Sequence, residues 1–254
     1  MLVDFHVHST ASDGTFSPSE LVDKAKGFAA IALTDHDNCD GVGELLRAGA
    51  SIEQSNNPNN RTFLIPGVEL SIEPGDGFDK FHLLGLGIDP ENAALKAFLK
   101  RILDGRNARN ERILANFRRL GIEMADSSIE QSNNPNNPNN LNNRTIFSYA
   151  HGEVLARPHF ARWLMDHGYV ASVAEGFDRY LLPESPKETR CYEERWHPRQ
   201  EDAFAAVHAA GGLCVMAHPK YWRRDWKDVG ADFAAAERGL TALREKGLDG
   251  VETL

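Results

Sequence analysis

Cysteine is scarce in this chain and does not pair. Only Cys39, Cys191 and Cys214 occur in 254 residues, with no Cys-x-x-Cys spacing. An odd, scattered set argues against a disulfide framework and makes a reducing cytoplasm the default compartment. Positive charge is also short: 28 Lys and Arg face 37 Asp and Glu, for a net charge of −9. That balance speaks against an extended nucleic-acid surface, which wants a basic face. It leaves room for a small anionic substrate held by a local cluster or by metal. No apolar run approaches the length of a membrane span. The first residues lack a basic region and include Asp4, which reads against a signal peptide. Apolar residues at 41% and charged residues at 26% are ordinary globular composition. The length suits one large α/β domain, or one domain with an insertion.

What the chain does have is a crowd of ionisable groups near its start. Residues 4–14 read DFHVHSTASDG. On a strand, successive side chains point to opposite faces, so Asp4, His6 and His8 share one face and Val3, Phe5 and Val7 the other. The apolar face reads as core. Burying two imidazoles and a carboxylate unpaired costs several kcal/mol, on the order given for buried polar groups. A divalent cation removes that cost, since neutral imidazole and carboxylate are its natural ligands. Solvated histidines on a half-exposed strand are the competing reading of one His-x-His.

Ser17-Pro18-Ser19-Glu20 supplies a helix start, with Ser at the N-cap, Pro at the first helical position and Glu closing a capping box. The apolar runs AAIALT, FLIPGVELSI, FHLLGLGI, LCVMA and DGVETL read as strands, several preceded by helical patterns. Strands alternating with helices predict a parallel sheet, open or closed into a barrel. Residues 91–185 break this pattern with a long arginine-rich helix and the helical stretches RPHFARWLMDHG and ASVAEGFDRYLL. The expected organisation is therefore an α/β body over 1–90 and 186–254, with an inserted helical subdomain over 91–185. Two near-identical Asn/Pro-rich segments, 51–60 and 128–143, read as surface loops without a catalytic part.

Further candidate ligands stand at strand ends: the run Thr34-Asp35-His36-Asp37, Glu69, His82 and His218. Active-site groups of parallel α/β folds collect at the C-terminal ends of strands. Four strands ending in His, Asp or Glu are hard to explain as solvation. The order DxHxHSxxSDG, LTDHDN, GVE, HLLGLG and AHP resembles the PHP family, named for polymerase and histidinol phosphatase domains. Within it, the chain resembles the branch of small metal-dependent phosphoesterases that includes 3′,5′-nucleoside bisphosphate phosphatases.

That resemblance implies a distorted seven-stranded α/β barrel holding up to three divalent ions, manganese first, with iron and zinc as alternatives. It implies His6 and His8 on the first metal, Asp13 and His36 on the second, Glu69 bridging the first and third, and His82 and His218 completing the third. Asp13 and His36 are the expected catalytic pair. Asp4 and Asp35 have no ligand role in the pattern; each is either an orienting carboxylate or a capping one. The family's further Asp-x-His motif, on a late strand, has no counterpart before Leu254, so the barrel is expected to be incomplete in this chain. The resemblance also makes Arg106, Arg109, Arg157 and His159 substrate-binding candidates, whereas Arg112, Arg118 and Arg119 read as a solvated stripe. The expected reaction is hydrolysis of a phosphate monoester of a small nucleotide: the 3′-phosphate of a nucleoside 3′,5′-bisphosphate, with short RNA ends as a broader option. Histidinol-phosphate phosphatase and a metal-binding but inactive scaffold are the alternatives. Phe160, Trp163 and Leu164, at helical spacing, read as subdomain core.

Overall fold

A computed structural model describes residues 2–53, 62–73, 81–124, 146–149, 154–219 and 233–253. Most of both Asn/Pro-rich segments, with His151, Trp222 and Trp226, lies outside them.

Six strands form one mixed sheet in chain order: β1 (Leu2–Val7), β2 (Phe28–Leu33), β3 (Phe63–Ile72), β4 (Phe81–Leu86), β5 (Leu213–Met216) and β6 (Gly250–Val251). The pairs β1/β2, β2/β3 and β5/β6 are parallel, but β4 runs antiparallel to both β3 and β5. The expectation of a parallel sheet therefore holds only at its two ends. The reason lies in the connection: residues 73–80 are too few for the crossover of a dozen or more residues that parallel neighbours need.

Helix α1 (Pro18–Lys24) starts as its sequence dictates: the Ser17 side chain accepts from the Glu20 N–H, and Glu20 returns the bond to the Ser17 N–H. With α2 (Val42–Glu53) it covers β2 through Leu21, Val22, Ile31, Leu33 and Leu45. A larger core lies around β3, β4 and β5, where Val68, Leu70, Ile72, Leu83 and Met216 meet Phe204 and Val207 of α6 (Gln200–Ala209) and Leu243 of α7 (Phe233–Lys246). Glu69 and Ser71 alternate with these core residues and are also buried, so β3 is covered on both faces. The expected core face of β1 does not form as such: Val3 is 47% and Phe5 41% exposed, and only Val7 joins the packing. Among the described residues β1 ends the order of the sheet, with a hydrogen-bonded strand on one side only.

The chain divides into two compact units, 1–103 with 197–254, and 104–196. Helix α3 (Ala93–Arg119) has residues in both. The second unit holds α4 (Arg157–Asp166) and the short α5 (Val173–Gly176). Its own core includes Phe117, Phe160, Trp163, Leu164 and Leu181, and so absorbs the three residues expected to be subdomain core. Among the described residues no helix is long and apolar enough to cross a membrane.

Candidate metal centre

One end of the sheet gathers the seven candidate ligands. β1, β2 and β5 deliver His6, His8, His36 and His218 at or just beyond their C-terminal ends. β4 runs the other way, so its first residues, including His82, reach the same edge. Ser71 lies opposite His82 in the ladder, which makes Glu69 the diagonal neighbour of His82. Asp13 comes from the turn after β1. Gly14 makes that turn possible: a Cβ there would sit 2.2 Å from the His8 carbonyl oxygen.

Glu69 is the hub and is 1% exposed. Its Oε1 lies 2.7 Å from His82 Nδ1 and 3.1 Å from His218 Nε2. Its Oε2 lies 3.2 Å from His6 Nε2, 3.1 Å from His8 Nε2 and 2.9 Å from His36 Nδ1. Asp13 stands further out, 3.8 Å from His8 and 3.6 Å from His36. Two buried atoms in this cluster, Glu69 Oε2 and His36 Nδ1, are close together yet make no well-directed hydrogen bond. Atoms that converge without bonding one another suit ligation of a common cation. So does the donor set of imidazole and carboxylate. Three groupings have ligand atoms all within 4.8 Å of one another: His6, His8 and Glu69; His8, Asp13 and His36; and His36, Glu69 and His82.

The electrostatics follow from this crowding. Burial alone would raise the Glu69 pKa, but the imidazoles of His218, His36, His6 and His8 crowded against its carboxylate hold it far below the carboxylate range. Burial works to lower His6 and His36; the Glu69 charge outweighs it and raises both, helped at His6 by Glu252 and at His36 by Asp13 and Asp37. For His82 burial prevails, and its pKa is lowered.

The structure separates the two undecided aspartates. Asp35 is buried and accepts from the Ser9 N–H at 2.7 Å, the Ser9 hydroxyl at 2.7 Å and the Ser12 hydroxyl at 2.6 Å. It fixes the turn that carries Asp13. Asp4 is exposed and accepts only from the His6 N–H, at 3.1 Å; it does not join the cluster. The sequence reading missed Glu252, which follows β6. It lies 3.2 Å from His6 Nδ1 and accepts from the His218 N–H at 2.5 Å. The signal was present, since Glu252 is one more carboxylate at a strand end. Outside this cluster, His208 of α6 bonds Asp249 at 2.8 Å. With Cys214 these two make another grouping of possible ligands. The Asp249 carboxylate there already caps the Cys214 N–H, and burial pushes the Cys214 thiol up to about 12.

The four expected substrate-binding residues lie in the second unit. Arg106 and Arg109 are each 5% exposed. Arg109 bonds the Asn110 side-chain oxygen, and Asn110 donates to the Leu155 carbonyl. Arg157 donates to the Leu181 carbonyl at 3.3 Å and sits over the Tyr192 ring. Burial, joined by the like charge of Arg106, lowers its pKa. His159 accepts from the Ala156 N–H through Nδ1, at the N-terminus of α4. Arg112 is exposed and reaches Glu193 and the Glu194 carbonyl, as expected of a surface residue.

The PHP domain model matches residues 4–127. The chain is 34% identical over 220 residues to a 3′,5′-nucleoside bisphosphate phosphatase of Chromobacterium violaceum, covering 85% of this chain and 66% of that protein. It is 32% identical over 219 residues to a 5′-3′ exoribonuclease of Haemophilus influenzae, covering 85% and 68%. The fold matches an amidohydrolase structure from Chromobacterium violaceum, solved with sulfate and no metal, with a TM-score of 0.70 and 32% identity over 99% of this chain and 76% of that one. The chain thus spans about two thirds of the curated relatives it matches, and by identity, coverage and fold it belongs to the PHP-domain family.

Proposed function

We propose that this protein is a metal-dependent phosphoesterase that removes a phosphate monoester from a small nucleotide, the 3′-phosphate of a nucleoside 3′,5′-bisphosphate. The observation that carries the reading is the convergence of five imidazoles on the single buried carboxylate of Glu69. In this reading His6, His8, Asp13, His36, Glu69, His82 and His218 hold up to three divalent ions, with Glu69 shared between sites. Such ions, when bound, supply positive charge for the phosphoryl oxygens and an activated water. The chain's own residues do the rest. Glu69 stays anionic across the working pH range and balances the cations. Asp13 and His36 border the reacting phosphate, and the Asp35–Ser9–Ser12 bonds hold Asp13 in register. The six strands are taken as part of a distorted seven-stranded barrel, with the second unit as the substrate-recognising insertion.

A bisphosphate leaves its second phosphate to be held away from the metals. Arg106, which is buried, and Arg157, which is half-buried, are close enough to repel and are the groups assigned to it. Guanidinium recognises phosphate in a bidentate manner. The identity with the named bisphosphate phosphatase supports this choice. The identity with the exoribonuclease favours short RNA ends as a second substrate class. The test is phosphate release from a nucleoside 3′,5′-bisphosphate, an aryl phosphate, histidinol phosphate and a short RNA, with wild type and Arg157→Ala. A charge-assisted contact contributes about 1.5–3 kcal/mol, so the variant should lose about 10- to 100-fold in kcat/KM on the bisphosphate and little on the aryl phosphate. Equal losses on both would remove the arginine from substrate recognition. Preference for histidinol phosphate would overturn the nucleotide assignment.

A further inference from the structure

Glu252 joins two parts of the centre that the sheet itself leaves apart. His6 belongs to β1 and Glu252 follows β6, the two ends of the strand order. Their side chains nevertheless meet, with Oε1 3.2 Å and Oε2 3.4 Å from His6 Nδ1. The other ring nitrogen of His6, Nε2, faces Glu69 Oε2. The same Glu252 carboxylate accepts from the backbone N–H of His218. That residue has φ +31, in the left-handed region that a β-carbon makes unfavourable. Its imidazole nonetheless reaches Glu69 at 3.1 Å and His82 at 3.2 Å. A second anchor keeps Glu252 in place: its own N–H donates to the Met216 carbonyl at 2.9 Å.

We infer that Glu252 is a positioning residue, which fixes His6 as the tautomer protonated at Nδ1 and holds His218 in its strained backbone conformation, so that both imidazoles face the metal centre. The inference rests on the metal-binding reading of the site. Physically, a ligating imidazole turns one nitrogen to the cation only if its other nitrogen has a fixed partner, and a carboxylate is the strongest such partner. A strained backbone persists only where its surroundings hold it, and the Glu252 carboxylate supplies that hold at the His218 N–H. Glutamine in its place has a single, uncharged side-chain oxygen and an amide that cannot accept, so it holds the two donors more weakly than the carboxylate does.

Zinc, being diamagnetic, is the probe. Its affinity is measured by competition with a chromogenic chelator for wild type, Glu252→Gln and Glu252→Ala. Loss of such an outer partner weakens metal binding about 10- to 100-fold, and both variants should show that loss while melting as folded proteins. Two-bond 1H–15N correlation spectra of zinc-loaded wild type should show the His6 proton on Nδ1, assigned by its disappearance in His6→Ala. This needs no Glu252 variant, so a failure of Glu252→Ala to fold leaves the test intact. Wild-type affinity in both variants, or a His6 ring without a proton at Nδ1, overturns the inference and leaves the metal site standing. A wild type that binds no zinc overturns the metal reading and the inference with it.

Discussion

Replacing Glu69 by glutamine removes one charge and almost no volume from the most crowded point of the molecule. The carboxylate is 1% exposed and lies within 3.2 Å of five imidazole nitrogens. In the metal-loaded protein a shared ligand becomes a neutral amide, and at least two ion sites weaken together. An affinity loss of at least about 100-fold, equivalent to about 2.7 kcal/mol, is expected by titration calorimetry with manganese or zinc. In the metal-free protein the same change takes the main counter-charge from the half-buried His6 and His36, which costs stability. The two effects carry opposite pH signatures. The pKa values of His6 and His36 are raised in the folded state. Their contribution with Glu69 is therefore fully present below the unfolded value of about 6.5 and fades as pH rises through the folded values. His82, whose pKa is lowered, opposes this at low pH. Urea unfolding in chelator should thus show the largest gap between wild type and Glu69→Gln at mildly acidic pH, and a smaller one at alkaline pH. Metal affinity of the wild type should instead rise with pH, because ligation requires deprotonated imidazoles. Glu69→Gln protein that binds metal like wild type would refute the assignment of Glu69 as the shared ligand.

Three further outcomes follow from individual contacts. Asp35→Ala strips the acceptor from three buried donors at about 1–3 kcal/mol each, so equilibrium unfolding should show a loss of at least about 3 kcal/mol and phosphate release should fall with the displaced Asp13 turn. Asp249→Asn weakens the His208 pair and the Cys214 cap, for about 1–2 kcal/mol at neutral pH. Hydrogen bonds from Cys214 and His208 lower the Asp249 pKa against the opposing pull of burial, so this gap should close as pH falls below about 4, where denaturant titration can follow it. Gly14→Ala sets a methyl group against the His8 carbonyl; its main effect should be weaker metal binding, read by the same calorimetry, with secondary structure by circular dichroism unchanged.

Much of the fold was legible because apolar runs and turn chemistry are local. FLIPGVELSI is β3 residue for residue, and the Ser17–Glu20 box opens α1. Strand direction is not local, and the apolar run of β4 carries no sign of it; only the short connection over 73–80 did. The apolar face of β1 misled, since alternation states which residues share a face and not whether anything covers that face. In the site, histidines at strand ends were legible from fold logic alone. Asp35 could not be resolved, because its partners Ser9 and Ser12 are ordinary polar residues at a distance in sequence. Glu252 was missed because it sits inside a run read simply as a strand. The spacing of Arg106, Arg109 and Arg112 put them along one face of a helix. It could not tell that the first two are buried while Arg112 turns outward to Glu193.

The most direct test is metal-dependent turnover. The protein is stripped with chelator, assayed for phosphate release from a nucleoside 3′,5′-bisphosphate, and assayed again after manganese is restored. The arrangement around Glu69 predicts no release from the stripped protein, recovery with manganese, and no recovery in His36→Ala. Equal turnover before and after stripping, or full recovery in His36→Ala, would contradict it.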